Sequence, residues 1–133
     1  MTTLHRFFLS EAGERAFAYA QAVSDGSTLY VAGVLSIDDA FAPVAPGDMR
    51  GQLENVYARI RRTLDSHGVG FASVMKETVY VTDMAAFIAA NEVRVRTYGA
   101  HLPACTAVEV NGLAFEPCMV EIELVVSLAH AGK

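Results

Sequence analysis

Apolar residues between Asp48 and His67 recur at three- and four-residue steps, at Leu53, Val56, Ile60 and Leu64, which places them along one face of a helix. Asp48 offers a side-chain acceptor to the first turn, and Gly68 closes the last one. A second helical stretch starts at Asp83 and ends near Tyr98-Gly99. Its apolar stripe is Met84, Phe87, Ile88, Val95 and Tyr98, and Asn91 falls on the same stripe. The strands show in shorter runs. Ala18 to Val23 and Thr28 to Val34 flank Ser24-Asp25-Gly26-Ser27, where the Asp-Gly pair supplies positive φ cheaply and predicts a hairpin. Val74 to Val81 is rich in β-branched residues. Two last strands are expected near Thr106 to Val110 and Met119 to Leu128, joined by the Asn111-Gly112 turn and a short loop containing Pro117. Ala40 to Gly47, with Pro43 and Pro46, predicts an exposed loop.

The predicted order is β-β-α-β-α-β-β, an α+β arrangement of five or six strands and two helices. No linker, internal repeat or low-complexity tract divides residues 1–133, so one domain is expected. Two helices with one apolar face each cover only one face of such a sheet. The other face then needs a partner, which points to self-association. Composition agrees with that picture, because 53% of the residues are apolar and only 19% charged.

Charge narrows the partners. A net charge of −5 and a pI near 5.2 argue against nucleic acid, whose binding relies on clustered Lys and Arg. Arg59, Arg61 and Arg62 form the only local basic cluster and read as a solvated helix face. Two cysteines, Cys105 and Cys118, make no disulfide framework. Met1 to Ser10 lacks an apolar core of leader length, and no run is long enough to span a bilayer, so a cytoplasmic chain is expected. His5, His67, His101 and His130 lie far apart, without the spacing of a local metal pair. No phosphate loop or metal motif is present, so neither a metal nor an organic cofactor is expected.

Several segments together resemble the YjgF/Rid family, also known as the endoribonuclease L-PSP family. They are Tyr19-Ala20-Gln21-Ala22-Val23, Leu29-Tyr30-Val31-Ala32-Gly33, Val79 through Met84, Phe87 with Asn91-Glu92-Val93, Leu102-Pro103-Ala104, and Val120-Glu121-Ile122-Glu123-Leu124. The resemblance runs from about Tyr19 to Val126, within a core of about residues 17–128, after an atypical N-terminal segment. It implies a chorismate-mutase-like fold in which a mixed sheet of about six strands packs on two helices. It also implies a homotrimer with clefts between subunits, and hydrolysis of reactive enamines and imines with release of ammonia. The alternative is a non-catalytic small-molecule-binding or regulatory member. A ribonuclease activity, attached to some relatives, conflicts with the acidic charge and the lack of a His pair.

Glu121 and Glu123 share one face of the last strand, so a cleft there would hold two carboxylates with separated pKa values. The resemblance assigns Glu121 the task of orienting the attacking water. It makes Tyr19 a wall of the cleft, lets the Gly33 backbone face the ligand, and carries the helix asparagine onto Asn91. An amide such as Asn91 can also serve the core alone. Where deaminating members carry a carboxylate-binding arginine after Pro-Ala, this chain has Cys105, followed by Thr106. Both are placed among the substrate-binding residues, and three readings of Cys105 stay open. The substrate lacks a carboxylate there, or Cys105 is a catalytic nucleophile activated by Glu121 or His101, or it is a passive wall. Arg15 or Arg94 could supply a replacement guanidinium. Cys118 is expected to pack.

Overall fold

The structure is a computed structural model, and it describes residues 3–129 and 131. His130 lies outside the described residues. A single mixed sheet organises the chain, built from β1 (His5–Phe7), β2 (Ala22–Ser24), β3 (Thr28–Leu35), β4 (Val74–Val81), β5 (Ala104–Glu109) and β6 (Val120–Ser127). The strand order is β1-β2-β3-β6-β4-β5, and every neighbouring pair is antiparallel except β4 and β5. The last strand is thus inserted between β3 and β4. β5 and β6 are not neighbours, although they are consecutive in sequence.

α2 (Met49–Asp65) follows its predicted pattern. The Asp48 side chain accepts from the Gly51 amide at 3.0 Å, and Leu53, Val56, Ile60 and Leu64 are buried. Gly68 adopts φ +68° and its amide bonds the Asp65 carbonyl, closing the helix in a left-handed turn. Those apolar side chains meet Val31, Val34, Val79, Val81, Val120, Ile122, Leu124 and Val126 from the sheet in one core. Alternation along β6 explains the division, because its even-numbered residues face the helices and Glu121, Glu123 and Val125 face away.

Among the described residues four α-helices, not two, accompany the sheet, and each difference has a local cause. The stretch after Asp83 is broken into α3 (Met84–Ala89) and α4 (Glu92–Tyr98). Tight bonds from the Ala90 and Asn91 amides to Phe87 and Ile88 overwind the chain there. The overwinding shifts the helical phase, so Ala90 and Val93 turn inward while Ile88 and Val95 are exposed. Asn91 is exposed as well and does not sit on a buried stripe. α1 (Glu11–Ala16) was masked in the sequence by having no apolar stripe. Its Glu14 is fully buried and accepts from the Leu9 and Ser10 amides at 2.9 and 3.0 Å, satisfying donors at the helix start. Ala18, at φ +62°, ends the turn after α1, so the first strand of the hairpin begins only at Ala22.

Candidate functional site

The sheet face away from the helices carries the candidate chemistry. Between Val31 and Val34 the pairing of β3 with β6 slips, which marks a bulge at Ala32 and Gly33. Glu121 of β6 lies against that bulge. A Cβ at Gly33 would lie 2.8 Å from Glu121 Cδ, so the bare glycine lets the carboxyl group keep this position and a larger residue would push it aside. The bare Gly33 backbone and the Glu121 carboxyl therefore share one wall.

Around them lie Phe17, Tyr19, Leu35, Phe41 and Phe115, enclosing a cavity of about 320 Å³. Burial in this setting raises the Glu121 pKa above the usual carboxylate value, and the charge of Glu123 two residues away raises it further. Glu123 is itself engaged, accepting a short hydrogen bond from the Tyr80 hydroxyl. Of the two carboxylates, Glu121 is thus the one facing the cavity. Burial also raises the Tyr19 pKa, followed by the charge of Glu14, and the pull of Arg59 does not reverse this. The Tyr19 phenol stays protonated at neutral pH and is available as a donor.

The other sequence-derived candidates lie elsewhere in the subunit. Cys105 pairs in register with Glu77 on the outermost strand, and β4 separates β5 from β6. Two strand spacings alone put β5 roughly 10 Å from β6. Glu77 is fully buried on the helix side, so its register partner Cys105 faces that side too, away from Glu121. Desolvation raises the Cys105 thiol pKa despite the opposing charge of Arg94, so the group is a thiol at neutral pH and a poor nucleophile. Within one subunit Glu121 does not activate it. Thr106 turns to the open face, where its hydroxyl accepts from Lys76 Nζ at 2.7 Å. Asn91 is at the α3–α4 junction, and His101 is exposed before β5. Arg94 is committed to Glu77, and Arg15 to Glu11. Cys118 packs with Leu35 and Ile37, as expected.

A family model described as endoribonuclease L-PSP matches residues 10–128. The chain belongs to that family. It is 36% identical over 107 residues to the RutC family protein PH0854 of Pyrococcus horikoshii, which covers 80% of this chain and 84% of the relative. A 2-iminobutanoate/2-iminopropanoate deaminase of Capra hircus is 32% identical over 107 residues, 80% of this chain and 77% of that one. Among solved structures, Rv2704 of Mycobacterium tuberculosis, a member of the YjgF/YER057c/UK114 family, matches with a TM-score of 0.81 at 27% identity. That match covers 94% of this chain and 99% of the other. RidA from a Psychrobacter species matches with a TM-score of 0.76 at 33% identity, over 83% and 88% of the two chains. The resemblance carried by the segments from Tyr19 to Leu124 is borne out.

In this L-PSP family chain the structure gathers Glu121, Tyr19 and Gly33 and leaves Cys105, Thr106 and Asn91 apart from them. Sequence reasoning missed Phe17, Phe41 and Phe115. All three come from loops or a helix end, where no periodicity marks a residue as facing a site. The close approach at Gly33 is testable. A Gly33→Ala variant should fold yet lose on the order of 10²-fold in any turnover that depends on Glu121, since displacing a catalytic group by about 1 Å costs that much. Unchanged kcat/KM would separate Glu121 from the chemistry.

Proposed function

We propose that the chain hydrolyses a small enamine, imine or related carbonyl metabolite, with release of ammonia. The observation that carries this reading is a half-buried carboxyl of raised pKa, Glu121, set against a bare glycine backbone inside a small cavity. Water adds to the electrophilic C=N carbon while Glu121 takes its proton. The nitrogen is protonated, the C–N bond of the carbinolamine breaks, and ammonia leaves as the carbonyl forms. An enamine first gains a proton at its β-carbon and then follows the same course. Tyr19 donates to the polar end of the ligand. The carbon is already electrophilic, so the residues present suffice for the proton traffic. The goat relative, named for deamination of 2-iminobutanoate and 2-iminopropanoate, is of the same class.

The site is completed in a homotrimer, with the open sheet faces packed together and clefts between subunits. In support, the helices cover one sheet face only, and Tyr30 stands 59% exposed on the other. Such a cleft would bring the edge strand β5 of one subunit, with Thr106 on the open face and the Cys105 backbone beside it, near Glu121 of the next, so that Cys105 serves as wall rather than nucleophile. Among the described residues no helix is long and apolar enough to cross a membrane, and the proposed setting is the cytoplasm.

The reading is tested by ammonia release from 2-iminopropanoate generated in situ, with wild type beside Cys105→Arg. Turnover by either protein supports a hydrolytic site, and turnover only by the variant identifies a site tuned to substrates without a carboxylate. No release by either folded protein, with saturable thermal stabilisation by small carbonyl compounds, would replace hydrolysis with the binding role.

A further inference from the structure

Three phenylalanines from distant parts of the chain converge beside Glu121. Phe17 and Phe41 are stacked, with ring centroids 5.7 Å apart and planes 3° from parallel. Phe115 meets both edge-on, at 6.4 and 6.2 Å. This is a closed set of aromatic contacts in the geometries that rings prefer. It is held at some cost to the chain. Gly13 sits inside α1, where glycine is about 1 kcal/mol worse than alanine. A Cβ there would lie 2.6 Å from the Phe41 ring, so the glycine makes room for that ring to lie against α1.

Core filling explains only part of the arrangement, since Phe41 and Phe115 also pack against the small buried cluster of Leu35, Ile37 and Cys118. Phe17 is 63% exposed, and the three rings border the cavity rather than the main core. Apart from Glu121 and the Tyr19 phenol, no ionisable side chain among the described residues lines that cavity. Its volume of about 320 Å³ corresponds to roughly ten waters' share of liquid, enough for one ring and a short polar head.

We propose that this cavity selects enamines and imines bearing an aromatic ring, which seats among Phe17, Phe41 and Phe115 while the C=N carbon lies against Glu121 and Gly33. The selectivity rests on the hydrolase reading for its chemistry, and on the aromatic box alone for its ligand class. Ring burial against these aromatic side chains adds binding that a methyl-bearing imine does not obtain, because transfer free energy scales with the apolar area removed from water.

The test uses the full chain and two imines made in situ by an amino-acid oxidase, from phenylalanine and from alanine. Release of ammonia is measured beside saturable binding of phenylacetamide, a stable neutral carbonyl probe, by thermal shift. The expected result is a kcat/KM at least tenfold higher for the phenylalanine-derived imine. Phe17→Ala, at an exposed position, should raise KM for that imine several-fold and for the alanine-derived one by a smaller factor. Phe115→Leu should act in the same direction while keeping an apolar side chain in place. Equal or better turnover of the alanine-derived imine overturns the selectivity and leaves the hydrolase reading standing. Probe binding that Phe17→Ala weakens, without turnover of either imine by wild type or by Cys105→Arg, supports the aromatic ligand class and overturns hydrolysis. Absence of probe binding by the folded protein, with no turnover by it or by Cys105→Arg, overturns both.

Discussion

Replacing Glu121 by Gln is expected to lower kcat for imine hydrolysis by about 10²–10⁴-fold, the usual contribution of a positioned acid–base group. Gln has the same shape and keeps a carbonyl oxygen toward the cavity, but it cannot take a proton from the attacking water. KM should change little, because the aromatic walls and the Gly33 backbone are untouched. The wild-type pH profile should show an acid limb whose midpoint lies above the ordinary carboxylate range, since burial and then Glu123 raise the Glu121 pKa. That limb should vanish in whatever activity the variant retains.

The same variant has an expected signature in stability, of opposite sign. A carboxyl whose pKa is higher folded than unfolded holds its proton more tightly in the native state, so stability falls as pH rises from the unfolded value through the folded one. Wild type and Glu121→Gln should therefore have equal Tm well below pH 4.5, the ordinary value of the group, and the variant should be the more stable at neutral pH. Thermal unfolding from pH 3 to 8 checks this. A variant with full activity would move the chemistry off Glu121, and one less stable at every pH would make the residue a structural one.

How far these features could be read from the chain depends on how local their causes are. α2 was legible because its cap, stripe and terminal glycine are consecutive signals that all agree. The two faces of β6 were legible because strand alternation has a strict period of two, which put Glu121 and Glu123 together on the open face. The second helix was misread where a three-residue step replaced the expected rhythm. A single tight turn at Ala90 and Asn91 leaves the residue types plausible and changes only their phase. The aromatic box was invisible for another reason. Phe17, Phe41 and Phe115 meet through the tertiary path of three connecting segments, and Gly13 carries meaning only once Phe41 is beside it. Insertion of β6 between β3 and β4 was equally silent, although it decides that Cys105 ends at an edge and Glu121 near the centre.

Glu77 belongs with the illegible residues and carries the second large expected effect. It follows Lys76 in a strand and has the composition of a solvated position, yet it is fully buried. Its carboxylate accepts from the Tyr57 hydroxyl at 2.8 Å and from Arg94 Nε at 3.1 Å. Burial alone would lower the Arg94 pKa, but the hydrogen bond and charge of Glu77 outweigh it and the net shift is upward. Burial, and then the charge of Glu77, raise the Tyr57 pKa, so that side chain remains a donor. Glu77→Ala strands a guanidinium and a phenol without their acceptor. Removing one partner of a buried pair costs about 3–5 kcal/mol. For a domain of this length that corresponds to a fall in Tm of roughly 10–20 °C. Glu77→Met combined with Arg94→Met should recover most of the loss, because no charge is then left unpaired and apolar side chains fill the space. Differential scanning calorimetry on the single and double variants separates the alternatives. A fall of only a few degrees in Glu77→Ala would mean that water reaches Arg94 and Tyr57 when the carboxylate is gone. A double variant as unstable as the single one would mean that the lost packing, rather than the orphaned charge, sets the cost.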